Sequence, residues 1–220
     1  MKPEPGTALI LTCEHATADV PPPYRDLFAS EAAQAALASH RGWDPQAHLL
    51  ANHLHTTTGA PLIVGTATRL LVELNRSPHH PALWSEFTRA LPWSTREHIL
   101  RTLYFPYRRE IVDRIRHHLC SAPRVLHLSL HTFTPIWNGQ PRPIDLALLY
   151  DPHRPAEAAY AAQWHTRLTH HHPHLRLAHN APYRGTDDGL TTTLRQHFGP
   201  RYLGIELEWN QALPPHPVYL

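Results

Sequence analysis

Cysteine is nearly absent from this chain of 220 residues: Cys13 and Cys120 are the only two. Two thiols cannot build a disulfide framework. Both sit in apolar contexts, which predicts two buried free thiols and a reducing compartment. Long apolar runs are also missing. None approaches the roughly 20 residues that span a bilayer. The opening stretch MKPEPGTALILTCEH lacks the apolar core and small-residue site of a secretory signal, so a cytoplasmic protein is expected. An excess of one charge is lacking as well. Lys plus Arg number 20 and Asp plus Glu 18, giving a net charge of +2. That balance offers no electrostatic case for nucleic acid or a membrane surface as partner. It says little else about partners and leaves the oligomeric state open. No internal repeat and no clean linker divide the chain, so residues 1–220 read as one domain with a large core.

Histidine and proline are abundant instead, at 21 and 23 residues. Proline fixes turns and element boundaries. Between those boundaries the apolar segments TALILTC (7–13), PLIVG (61–65), RLLVELN (69–75), RVLHLSLH (124–131), IDLALLY (144–150) and RYLGIELEW (201–209) read as buried strands. LRLAHN (175–180) reads as an edge strand. Helices are expected over 25–39 after the irregular PPPY, over 45–57 with Asp44-Pro45 as N-cap and first position, and over 94–119 with Pro106 as a break or kink. Two more are expected over 155–171 and 187–198. The alternation predicts an α/β protein with a mostly parallel or mixed sheet covered by helices on both faces.

Ligands in open α/β sheets bind beyond the carboxyl ends of the strands. The polar residues expected there are Glu14, His15, Asn75, Arg76, His131, Asp151, Glu206, Glu208 and Asn210. Two histidines and several carboxylates on one rim suit a single divalent ion, zinc or a similar first-row metal. The tract THHHPH (169–174) is read as surface composition, because adjacent helical residues point in different directions. A histidine-rich metal-binding protein without catalytic activity is the non-enzymatic alternative.

The segments TCEHATADVP, SHRGWDPQA, TRLLVELNRS, LHLSLHTFTP, APYRG and GIELEWNQ, in this order over about residues 8–211, resemble the N-formylglutamate amidohydrolase family. The resemblance implies a three-layer, phosphorylase/hydrolase-like fold related to zinc carboxypeptidases and aspartoacylase. It also implies a zinc-dependent hydrolase acting on the amide of small N-acyl amino acids, N-formyl-L-glutamate being the type substrate. A carboxypeptidase-like activity, or one on other N-acyl amino acids, is the alternative. One Zn2+ per chain is expected.

Carried onto this sequence, the resemblance makes His15 and His131 metal ligands with Asp44 as the acidic third. The position three after His15 is Ala18 rather than an acid, which keeps Glu14 and Asp19 as competitors. A helix N-cap is the competing reading of Asp44, with the ligand favoured. Glu208, in Glu208-Trp209-Asn210, corresponds to the catalytic base. Glu206 shares its face by strand alternation and competes for the role. Arg69 is expected at the oxyanion. Asn75 and Arg76 are expected on a substrate carboxylate, where a planar guanidinium binds two oxygens at once. Tyr183, Arg184 and Arg195 are further candidate substrate contacts, with a solvated helix face the alternative for Arg195.

Overall fold

The run TALILTC becomes β1 (Thr7–Cys13), buried from Leu9 onward. This is seen in the computed structural model, which describes residues 5–214. A 3-10 turn over Pro22–Phe28 leads to α1 (Glu31–Ala38), and then come α2 (Ala47–Thr58) and β2 (Leu62–Val64). A long segment of turns ends at α3 (Trp93–Ile99) and α4 (Phe105–Ser121), which a π-turn over Leu100–Tyr104 joins. β3 (Arg124–Phe133) is followed by a short hairpin of β4 (Ile136–Trp137) and β5 (Gln140–Pro141). β6 (Leu146–Leu149), α5 (Pro155–His171), β7 (Leu177–His179), α6 (Leu190–Phe198) and β8 (Tyr202–Asn210) complete the order.

Six strands form a mixed sheet in the order β2-β1-β3-β8-β6-β7. All neighbours run parallel except β6 and β8. The carboxyl ends of β1, β3 and β8 therefore lie together. Period-two alternation then sorts the side chains. Leu126, Leu128 and Leu130 of β3 join Leu203, Ile205, Leu207 and Trp209 of β8 against α2 and α5. Burying each such aliphatic contributes roughly 1.5–3 kcal/mol. The opposite face packs on α1, α4 and α6 through Ile10, Val125 and Tyr202. Towards the strand ends that face turns polar: in register, Thr12 lies beside Ser129, Ser129 beside Glu206, and His131 beside Glu208. One face of the sheet is thus wholly core, and the other carries the chemistry.

Several expectations are corrected. RLLVELN is no strand; Arg69–Asn75 forms successive turns tied to Gly42 and Leu83. Its apolar residues Leu70, Leu71, Val72 and Leu74 are buried because they enter the core beside the sheet, and a short apolar run alone cannot distinguish that from a strand. Pro22 and Pro23 sit within a 3-10 turn rather than irregular chain. The helix expected over 25–39 is broken at Ala29-Ser30, where the Ser30 hydroxyl accepts from the Ala33 amide. Asp44 caps no helix, since α2 starts at Ala47 after the left-handed Gln46. Around Pro106 the chain does not break: the π-turn precedes a proline that has no N–H to offer the preceding turn. Cys13 is buried as expected, but Cys120 is exposed on the last turn of α4. Asp151 leaves the rim because β6 runs antiparallel to β8 and carries it to the opposite end.

Candidate active site

His15 lies two residues beyond β1, and its carbonyl accepts from the Asp44 amide at 2.9 Å. That bond brings the 42–45 loop back across the strand end. Gly42 makes the approach possible, because a Cβ there would sit 2.4 Å from the Leu37 carbonyl oxygen. His131 projects from β3. The three side chains converge: Asp44 Oδ2 lies 3.1 Å from His15 Nδ1 and 3.0 Å from His131 Nδ1. All three residues are at most 4% exposed, and their facing atoms lie within 4.8 Å of one another.

Each imidazole is held from behind by a carboxylate. His15 Nε2 meets Glu73 Oε1 at 2.5 Å. His131 Nε2 lies 3.1 Å from Glu14 Oε2 and 2.8 Å from Ser129 Oγ. Glu14 also accepts from the hydroxyls of Tyr107 (2.8 Å) and Ser129 (2.6 Å). Burial pushes the Asp44 carboxyl up, yet His15, His131 and Arg69 together hold it well below the usual carboxylate range. Burial likewise disfavours a charged His131, and the hydrogen bonds to Asp44 and Glu14 outweigh it and raise the imidazole well above its usual range.

This donor set fits a divalent ion. Two Nδ1 atoms aimed at one carboxylate oxygen need protons to bond it, and a metal takes the place of those protons. Outer carboxylates that receive Nε2–H leave the Nδ1 lone pairs facing inward. Zinc–nitrogen distances of about 2.0–2.1 Å place tetrahedral donors about 3.3 Å apart, close to the 3.1 and 3.0 Å from Asp44 Oδ2 to the two imidazoles.

A cleft of about 160 Å³ opens over the cluster. Glu208 faces it from β8, only 6% exposed, with Oε2 buried and without a hydrogen-bond partner. Burial pushes its carboxyl up to about 7, with Asp44 and Glu206 adding to the shift and His131 opposing it. Glu206 also reaches the cleft, but its Oε1 accepts from Thr191 Oγ1 at 2.7 Å. The two carboxylates share a face, and of the two only Glu208 has a buried oxygen without a hydrogen-bond partner.

Arg69 lines the cleft with its guanidinium on Glu73 Oε2 (2.6 Å) and Asp44 Oδ1 (3.2 Å). Asn75 and Arg76 line it too. Asn75 Oδ1 accepts from the Leu190 amide at 2.9 Å, and its Nδ2 lies 3.5 Å from His131 Nε2. Arg76 donates to the Asp188 carbonyl. Behind it, the Arg76 carbonyl accepts from Tyr104 Oη (2.6 Å) and Arg108 Nη1 (3.1 Å). Tyr183 and Arg184 stand exposed at the mouth.

Other expected residues lie elsewhere. Arg195 is buried against Glu157 (3.0 Å) and the carbonyls of Gly185 and Gly204, so it staples α6 to α5 and β8 and does not line the cleft. Glu14 sits behind His131, and Asp19 is exposed. Asn210 closes the sheet end by donating to the Ile144 carbonyl at 2.7 Å. Glu73 was not anticipated at all. Its signal is a lone acid in an apolar run, four residues after Arg69, a spacing that normally reads as a helical pair. His127 and Ser129 were passed over too, although His127, Ser129 and His131 recur with period two.

The family model described as N-formylglutamate amidohydrolase matches residues 7–213. No functionally curated protein matches the chain. Among solved structures, a gene product of Agrobacterium tumefaciens is similar at 26% identity with a TM-score of 0.80, covering 96% of this chain and 83% of that one. An N-formylglutamate amidohydrolase from Ralstonia eutropha JMP134 shares the fold at 18% identity and a TM-score of 0.71, covering 97% of this chain and 86% of its own. Over nearly its whole length, and with its polar strand ends gathered on one cleft, this chain belongs to the N-formylglutamate amidohydrolase family.

Proposed function

We propose that the chain is a metal-dependent hydrolase of the amide bond in small N-acyl amino acids, with N-formyl-L-glutamate as the type substrate. The observation that carries this reading is the unpartnered carboxylate oxygen of Glu208, buried and facing the His15–Asp44–His131 cluster. A buried carboxylate oxygen without a partner costs stability, and such a group facing a cleft is a candidate for a functional role.

A zinc ion held by His15, Asp44 and His131 would polarise the amide carbonyl and lower the pKa of water towards about 7. Glu208 takes a proton from the attacking water and delivers it to the departing nitrogen as the C–N bond breaks. In the metal-free site burial raises this carboxyl to about 7, so it can hold a proton as well as release one. Arg69, held by Asp44 and Glu73 beside the cluster, faces the oxyanion that forms on the carbonyl. Arg76 receives the substrate carboxylate, with Arg184 and Tyr183 at the mouth and Asn75 ordering the turn that presents Arg76.

A panel of N-formyl, N-acetyl and dipeptide substrates tests the reading. N-formyl-L-glutamate should be turned over fastest; preference for dipeptides would move the assignment to a carboxypeptidase-like activity, and no turnover of any member would overturn it. Glu208→Gln should keep fold and metal and lose about 10²- to 10⁴-fold in kcat. Unchanged turnover would remove Glu208 from the base role.

A further inference from the structure

Tyr183 lines the mouth of the cleft although it is 41% exposed and lies on the irregular segment between β7 and α6. An exposed aromatic on a loop is ordinarily free to swing. Here a guanidinium holds it. Arg142, just after β5, places its guanidinium carbon 5.5 Å from the Tyr183 ring centre, 5.0 Å from that of Trp137 and 5.7 Å from that of Phe133. The same group donates to Tyr183 Oη at 3.4 Å and to the Thr134 carbonyl at 3.5 Å.

The contacts continue across the mouth. The Trp137 ring packs edge-on against His40 at 6.0 Å, on the segment that runs into Asp44. The hairpin carrying Trp137 is set by Asn138 (φ 48°) and Gly139 (φ 75°), the left-handed pair that a two-residue turn requires. It rises from the end of β3, where Thr132 lines the cleft. His40, Trp137, Arg142 and Tyr183 therefore form one row of contacts from the Asp44 side to the loop opposite.

We propose that Arg142 is a positioning residue that determines specificity: it clamps Tyr183 over the mouth and so limits the size of substrate the cleft admits. The size limit rests on the reading of the cleft as an N-acyl amino acid site. A planar guanidinium is suited to the task, because it stacks on rings while its N–H groups hold a hydroxyl and a carbonyl. The clamp needs no acidic partner, and its removal touches neither the metal cluster nor Glu208.

The test uses Arg142→Ala, Tyr183→Ala and the double variant of the full chain. Arg142→Ala should raise KM for N-formyl-L-glutamate roughly 5- to 30-fold while leaving kcat within about twofold. Bound metal should not change, and discrimination against bulkier N-acyl substrates should narrow. In the Tyr183→Ala background, Arg142→Ala should add nothing further, because the two act as one unit. Arg142→Lys keeps a cation near the rings but loses the planar fork, and should fall between wild type and Arg142→Ala. Amide exchange over residues 181–185, followed by mass spectrometry without substrate, should quicken in Arg142→Ala. KM effects that multiply in the double variant, or unchanged exchange in that loop, would overturn the clamp. If the wild-type protein hydrolyses none of the panel, the reading of the reaction falls, and the exchange measurement still decides whether Arg142 holds Tyr183.

Discussion

Glu208 carries a cost to stability at the position where we propose it acts as base. Its carboxyl is raised from 4.5 to about 7 by burial. Between those values the folded protein holds a proton that the unfolded chain has released. Its cost to stability is absent below pH 4.5, grows through this window and is complete above pH 7. Glu208→Gln removes the cost, so the metal-free variant should gain up to about 3 kcal/mol over wild type at pH 8 and almost nothing at pH 4. Denaturant midpoints of chelator-treated protein measure the difference; a gain independent of pH would show that another group carries the strain. Glu73 gives a second expectation. It holds His15 from behind, so Glu73→Gln should weaken metal binding about 10- to 100-fold while the fold persists, as read by competition with a chelator. The strand ends bring His15, His131 and Glu208 forward among nine polar residues, and only the family resemblance separates Glu208 from Glu206. Glu73 was not legible, because only the folded chain shows that an acid among buried leucines has an imidazole waiting for it.

At the scale of elements, legibility followed sheet pairing. β1, β2, β3 and β8 are read from their apolar runs because both faces of these strands are covered. The turns over Arg69–Asn75 defeat the same rule, since irregular chain buried in the core has the composition of a strand without its pairing. The direction of β6 was equally hidden: the sequence foretells an element but not which way it runs, so Asp151 was expected on the rim. Arg195 is the instructive case among helices. Its place on α6 reads as substrate contact or solvated face, and it proves to be a buried tie to Glu157. Arg195→Met would leave that carboxylate, already 0% exposed, with less compensation. The variant should lose about 3–5 kcal/mol of stability yet keep the wild-type KM in whatever fraction remains folded. A raised KM with unchanged stability would return Arg195 to the substrate.

For the whole molecule, the distribution of histidine matters more than its abundance. Of 21 histidines, His15 and His131 enter the buried cluster that could hold a metal, whereas His170, His171 and His174 are exposed about the end of α5. Titration with zinc should therefore reveal one tight ion per chain that is lost in His131→Ala. Several weak ions indifferent to that substitution would favour the metal-buffering alternative. A site that exists only in the folded chain also stabilises it, by about 4 kcal/mol when free metal stands at 1,000 times Kd. The sheet order adds a consequence for how the protein comes into being. His15, Asp44 and His131 leave the ribosome well before Glu208, and β8, which carries Glu208, must insert between β3 and β6. On the reading proposed above, the three candidate ligands are thus made before the candidate base, which arrives with the strand that closes the sheet. A chain interrupted before β8 would then carry the candidate ligands without the candidate base, so any hydrolase activity waits for the finished fold.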